Sequence, residues 1–238
     1  INIERILIAS PSTSIGPREI IGMLTCPRKY YLDYVKNVGG NILKWPDKNI
    51  TRGNLVHIII ESVVRNGDIQ KISTCNFGEK RDWIRNLLKE QLNGNYRLDA
   101  ALHVLANTPL FDVEKDVINR LTSAFGDEEL APYFTGKDLR TECMVNQISG
   151  FSGTIDFVIE GHPFELKTAT QVSSDHVWQL KIYLMTTLLE SGIKDGFLVY
   201  STRTNIGYGK EPSKIHHLTI TNEEIDQILY ARHKVLLQ

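Results

Sequence analysis

The sequence predicts an α/β fold: a helical N-terminal arm followed by a sheet flanked by helices. Three observations predict it. Apolar residues in the first half recur at helical spacing. Residues 153–168 read as strand, turn and returning strand. Residues 196–200 form a continuous apolar run of the kind found at the centre of a sheet buried on both faces.

The elements follow in order. Residues 10–16 are turn-rich, and Pro17 sits where a first helical turn accepts it, which predicts a helix over 17–24. Cys26-Pro27 breaks it and starts a second helix, 27–35. Gly39-Gly40 ends that unit, and 41–51 reads as a loop. Leu55, Ile58 and Ile59 predict a helix over 53–64. Amphipathic helices are predicted over 80–93 and 112–126. Strands are predicted over 141–148, 153–159 and 164–168, with Glu160-Gly161-His162-Pro163 as a turn. A helix over 175–189, strands over 196–200 and 216–220, and a helix capped by Thr221 and Glu224 complete the chain. The whole chain, 1–238, reads as one domain. Residues 1–135 form a mostly helical arm and insertion, and 136–238 the sheet with its flanking helices.

Composition bounds the function. The 238 residues carry 27 Lys+Arg against 28 Asp+Glu, a net charge of −1, with 42% hydrophobic residues. That excludes disordered and low-complexity classes. No apolar run approaches the roughly 18 residues of a membrane span. Cys26, Cys75 and Cys143 are too few for a disulfide scaffold, and no signal peptide opens the chain, so an intracellular, reducing compartment is expected. The start at Ile1 is expected of a piece of a longer polypeptide. Neutral net charge argues only weakly against nucleic acid, because a local patch can carry the contact. Between Cys26 and Ile58 stand Arg28, Lys29, Lys36, Lys44, Lys48 and Arg52 against Asp33 and Asp47. A solvated face explains this bias equally well.

The hairpin is the most informative stretch. Centred on Gly161-His162, it sets Val158 opposite Glu165 and Asp156 opposite Lys167. Asp156, Glu165 and Lys167 then share one face. Ile155, Phe157, Ile159, Phe164 and Leu166 form the other, which is core. Two readings are open at this point. Carboxylates held together need compensation, and a divalent cation with oxygen ligands supplies it. Alternatively, Asp156 and Lys167 form an exposed cross-strand ion pair, worth roughly 0.2–1 kcal/mol.

Asp156 followed by Glu165-Leu166-Lys167 resembles the D…(D/E)-x-K signature of the PD-(D/E)XK nuclease superfamily. Three further segments, in family order, resemble its RecB-like branch. They are Ser10-Pro11-Ser12 with Cys26-Pro27-Arg28-Lys29-Tyr30-Tyr31; Gly53 with His57; and Gln179 with Tyr183. The resemblance extends to CRISPR-adaptation exonucleases, AddB-type subunits and flap-processing nuclease–helicases. It implies a restriction-endonuclease-like core with a central mixed sheet. It also implies a metal-dependent deoxyribonuclease, acting as an exonuclease on single-stranded ends. His57, Asp156, Glu165 and the Leu166 backbone carbonyl would bind Mg²⁺ or Mn²⁺, and Lys167 would be the catalytic lysine. Gln179, Tyr183, Arg28 and Lys29 would contact substrate or support the site. Without the resemblance, His57 reads as a core histidine, Tyr183 as a tethered core residue and Gln179 as solvated surface. Glu142, on the strand before the hairpin, either supports the metal site or faces solvent, and it stays outside the catalytic set.

Several RecB-like nucleases use the cysteine of this arm in a [4Fe–4S] cluster completed by a C-terminal cysteine group. No cysteine follows Cys143, so no cluster is expected on this chain. Cys26 would be a ligand only in a longer chain, and is otherwise read as a buried packing thiol. DNA is the expected partner, with a helicase or polymerase domain or subunit beside it, and no membrane. No P-loop occurs here, so any motor lies elsewhere. The alternative from another class is a nucleic-acid-binding or scaffold domain on a nuclease-like fold. Such domains usually lose the acids or the lysine, all of which stand here.

Overall fold

A computed structural model describes residues 15–36, 48–66, 68, 70–92, 115, 117–122, 138–145, 150–169, 172–200 and 214–237. The expected turn at 10–16 (up to Ser14), the Ser10–Ser12 segment, Gly39-Gly40 and most of the loop at 41–51 lie outside these residues. So do parts of the helix expected over 112–126.

The arm forms as its punctuation predicts. Helix α1 (Pro17–Thr25) has Pro17 in its first turn, and Glu19 Oε2 accepts the Gly16 N–H at 3.1 Å. Helix α2 (Pro27–Tyr30) runs into a π-turn (Tyr31–Val35). Helix α3 (Lys48–Arg65) begins inside the stretch read as a loop, so residues 48–51 are helical. Helix α4 (Gln70–Thr74) was not predicted; five residues carry too little periodicity to be seen. Helix α5 (Phe77–Leu92) starts three residues early because Asn76 and Glu79 bond each other's backbone amides reciprocally. Residues 117–122 are helical too.

The sheet runs β1 (Leu139–Met144), β2 (Thr154–Ile159), β3 (His162–Lys167), β4 (Asp195–Tyr200) and β5 (Lys214–Thr219), in that spatial order. Only the β3–β4 pair is parallel, so the sheet is mixed. Between β3 and β4 the chain passes through α6 (Ser174–Ser191), as a parallel connection requires. Helix α7 (Asn222–Leu236) opens with the expected Thr221–Glu224 capping box.

Helices cover both faces of the sheet. Alternate residues of β4 divide the core: Phe197 and Val199 point to a layer built from α3, α5 and 117–122, whereas Leu198 and Tyr200 point to α1, α6 and α7. Phe157, Ile159, Phe164 and Leu166 belong to the first layer, as expected. Ile155 does not; it packs with Val158 in the second. The β2–β3 register ends at Phe157↔Phe164, and beyond it β2 is paired on its β1 side, through Cys143↔Ile155 and Met144↔Thr154.

The hairpin register is also corrected. Ile159 pairs with His162 and Val158 with Pro163, leaving Glu160-Gly161 as a two-residue turn. Both turn residues have positive φ, 49° and 85°, and Gly161 is the residue that takes this conformation freely. His162 and Pro163 are therefore strand, not turn. The shift from the expected pairing is two residues along β3. Because side chains alternate with period two, Asp156, Glu165 and Lys167 still share a face.

Candidate metal and acid–lysine centre

Strand β3 delivers Glu165 and Lys167 towards α6, and α6 returns Gln179 and Tyr183 one turn apart. The Lys167 ammonium donates to Glu165 Oε1 at 2.5 Å and to Gln179 Oε1 at 3.0 Å. The Gln179 amide donates to the same Glu165 oxygen at 2.6 Å and to Tyr183 Oη at 3.3 Å. Gln179 thus ties the acid to the lysine, and Tyr183 steadies Gln179. Tyr183 has its own fixed seat, since a Cβ on Gly153 would fall 3.0 Å from its ring. Burial and the nearby Glu165 charge push the Tyr183 hydroxyl well above its ordinary value, so it stays protonated.

Asp156 joins from β2. Its Oδ2 accepts the Leu166 N–H at 2.8 Å, which holds the carboxylate across the end of β3. His57 Nδ1, from α3 on the other layer, lies 3.8 Å from the same oxygen. Two helical layers and two strands therefore bring His57, Asp156, Glu165 and Lys167 together. The exposed ion pair between Asp156 and Lys167 is overturned. Lys167 turns to Glu165 instead, and the Lys167 and Glu165 side chains are only 15% and 2% exposed.

This neighbourhood is short of positive charge. Burial and the Asp156 carboxyl push Glu165 up to about 8, against the pull of the Lys167 ammonium and His57. Burial pushes Asp156 up to about 6, with Lys167 and the Leu166 amide opposing. Burial and Lys167 hold His57 below its ordinary value, leaving it a neutral donor of the kind metals accept. Among the described residues, no three His, Cys, Asp or Glu side chains stand close enough to hold an ion as they lie. The donors nevertheless fit one. Glu165 Oε2 is buried without a hydrogen-bond partner, and a buried carboxylate oxygen left so is costly unless something satisfies it.

The remaining expected residues divide. Lys29 lines a cleft between the arm and α6 that reaches Lys167 and Gln179. Arg28 is exposed and does not line it. Cys26 is exposed, which overturns its reading as a buried thiol. It occupies the corner between α1 and α2, where its backbone serves both helices and its side chain faces out. Tyr30 is buried and stacks on Tyr34 at 5.1 Å, so Tyr30 packs the arm, whereas Tyr31 and Tyr34 are exposed.

His176 was not anticipated in a role, and Glu142 was left open between supporting the metal site and facing solvent. His176 lines the cleft three residues before Gln179, and the 176, 179, 183 spacing on one helix face was its signal. Glu142 stands across from Asp156 in the β1–β2 register, with φ 47°, and its charge raises both Asp156 and His57. It is exposed, at the edge of the cluster.

A mixed sheet whose middle strand carries an acid-x-lysine triplet, beside a second acid on the hairpin partner, is a restriction-endonuclease-like architecture. The family model described as the PD-(D/E)XK nuclease superfamily matches residues 16–234, and the chain belongs to that superfamily. Membership implies a nuclease, with nucleic acid as the substrate class and a divalent metal as the usual cofactor. A search of curated proteins found no match. No helix among the described residues is long and apolar enough to cross a membrane.

Proposed function

We propose that this protein is a Mg²⁺- or Mn²⁺-dependent deoxyribonuclease of the RecB-like branch, an exonuclease acting on single-stranded ends. One observation carries the reading. Glu165 is clamped by Lys167 and Gln179 through Oε1, while Oε2 is left buried and unsatisfied near Asp156. A purely structural ion pair has no need of such an oxygen.

In this reading His57, Asp156, Glu165 and the Leu166 carbonyl would hold the cation, which would supply Lewis-acid polarisation of a phosphodiester and a water of lowered pKa. The other roles belong to the chain itself. Lys167 places its ammonium where negative charge develops on the phosphate. Gln179 fixes the angle of that ammonium through its amide oxygen and the angle of Glu165 through its amide nitrogen. Tyr183 is a positioning residue that acts through Gln179. Lys29 meets the backbone of the strand in the cleft, and Arg28 contributes from the outer face of the arm. The arm beside the cleft favours a single strand over a duplex, and its basic character favours nucleic acid generally.

The test is cleavage of end-labelled single- and double-stranded DNA, linear and circular, with Mg²⁺, Mn²⁺ or chelator. Metal-dependent shortening of linear single strands is the expected result. Cutting of circles overturns the exonuclease assignment. Lys167→Ala is expected to abolish cleavage while the protein stays folded, and equal activity in that variant rejects the assignment of Lys167. DNA binding without metal-stimulated cleavage would favour the scaffold alternative. Association with a helicase or polymerase is checked by native mass spectrometry of the protein isolated from its source.

A further inference from the structure

The cleft between the arm and the start of α6 has a volume of about 460 Å³. Lys167 and Gln179 line its inner end, so it opens onto the acid–lysine cluster. Arg18 of α1 and Lys29 of α2 line it from the arm, and neither makes an ion pair among the described residues. Asp33 and Asp175 also line it, so the cleft mixes charges and its cations are not a uniform patch. His176 faces it from the first turn of α6.

The chemistry of His176 follows from its neighbours. The Ser173 N–H donates to Tyr200 Oη at 3.4 Å, and that hydroxyl lies 2.8 Å from His176 Nδ1. A hydroxyl that accepts from an amide has its own proton to give, and Nδ1 takes it. The hydrogen of the neutral ring is then on Nε2. Burial and the Lys167 charge both favour that neutral form. Tyr200 is itself buried, with the His216 ring edge-on at 5.8 Å, so the imidazole is held by a rigid partner. Among the described residues Nε2 makes no hydrogen bond. A donor held in place on a residue that lines a cleft with two unpaired cations is suited to a phosphate oxygen.

We propose that this cleft is a phosphate subsite, which takes a phosphodiester of the substrate strand next to the scissile one, with Arg18 and Lys29 supplying charge and His176 a neutral hydrogen bond. The subsite rests on the nuclease reading for the path of the strand. Its signature is that charge and hydrogen bond respond differently to salt.

The experiment uses the full chain and a fluorescein-labelled single-stranded oligothymidylate in chelator, followed by anisotropy across a salt series. Cleavage kinetics in Mg²⁺ and Mn²⁺ run in parallel. Replacing Arg18 and Lys29 together by Ala is expected to weaken binding and to flatten the dependence of log K on log salt by about 0.7 for each cation. His176→Ala is expected to weaken binding about ten-fold at every salt concentration, leaving the slope unchanged. In cleavage its KM rises while kcat stays within a few-fold. His176→Gln, which retains an N–H, recovers most of the affinity, and Tyr200→Phe falls between. The Arg18 and Lys29 pair is exposed, so that arm of the test stands even where a change at His176 harms folding. Variants that bind and cleave like wild type overturn the subsite. Wild-type protein that binds the oligonucleotide without cleaving it, while the variants still lose affinity, overturns the nuclease reading and supports the subsite.

Discussion

Glu165→Gln isolates the electrostatic cost of the cluster. In the metal-free protein Glu165 is held near 8, against an ordinary value of 4.5. Between these values the native state binds the proton that the unfolded chain has released. Stability therefore falls as pH rises through that window. For one such group, linkage gives a loss of about 3 kcal/mol between pH 5.5 and 8.0. Asp156, shifted from 3.8 to about 6, adds a loss of less than about 1 kcal/mol over the same range. His57 and His176, held below their ordinary values, act in the opposite direction. They titrate in both proteins and largely cancel from the comparison.

The assay is urea unfolding in chelator at pH 5.5 and 8.0, for wild type and Glu165→Gln. Wild type should lose about 3 kcal/mol more than the variant over that interval. Comparing the two proteins across pH also removes any constant cost of burying the new amide. Saturating Mg²⁺ should stabilise wild type more at pH 8.0 than at 5.5, because binding displaces the proton. The variant should gain little. Parallel pH profiles for the two proteins in chelator would falsify the claim that Glu165 is buried at the expense of its charge.

Two further outcomes are expected. Gly153→Ala sets a Cβ 3.0 Å from Cε1 and 3.1 Å from Oη of Tyr183. The displaced ring should loosen Gln179 and lower kcat with little change in melting temperature, and unchanged kcat counts against Tyr183 as a positioning residue. Cys26, at its exposed corner, should react with a thiol reagent before Cys75 and Cys143 in the native protein. Peptide mapping after brief labelling checks the order, and slow labelling of Cys26 contradicts its placement.

Much of the fold was legible because its signals are local. Pro17, the Thr221–Glu224 pair and the apolar run of β4 each fix an element from a handful of residues. What was not legible depends on distant partners. The start of α3 reached into a stretch read as a loop, and the side chain of Cys26 turned out of a helix junction that sequence spacing leaves open in direction. The partners of Lys167 were only partly legible for the same reason, since one of them lies outside the hairpin. Gln179 arrives from α6, and nothing within the hairpin announces it. His176 carried a signal in its spacing from Gln179 and Tyr183, but its orientation depends on Tyr200, 24 residues further along the chain.

The hairpin shows why the grouping of the acids and the lysine outlived an error in pairing. The expected register was wrong by two residues, and a sheet repeats its faces every two residues. A slip of one along β2 would have turned Asp156 into the α3–α5 layer and Phe157 and Ile159 out of it, and the acids would have parted. The same slip along β3 is strongly opposed, because Phe164 and Leu166 would then face Gln179 and Glu165 would enter the α3–α5 layer. Burial of both faces therefore fixes the parity of the register, and parity alone decides whether the acids and the lysine meet. What parity leaves open, the two-residue turn decides: Glu160 and Gly161 accept positive φ, and their shorter loop sets where along β3 the pairing begins. The same step leaves the end of β2 without a β3 partner beyond Phe157, and there the Asp156 carboxylate takes the Leu166 amide in place of a ladder bond. The tight turn at one end of the hairpin thus frees the acid at the other.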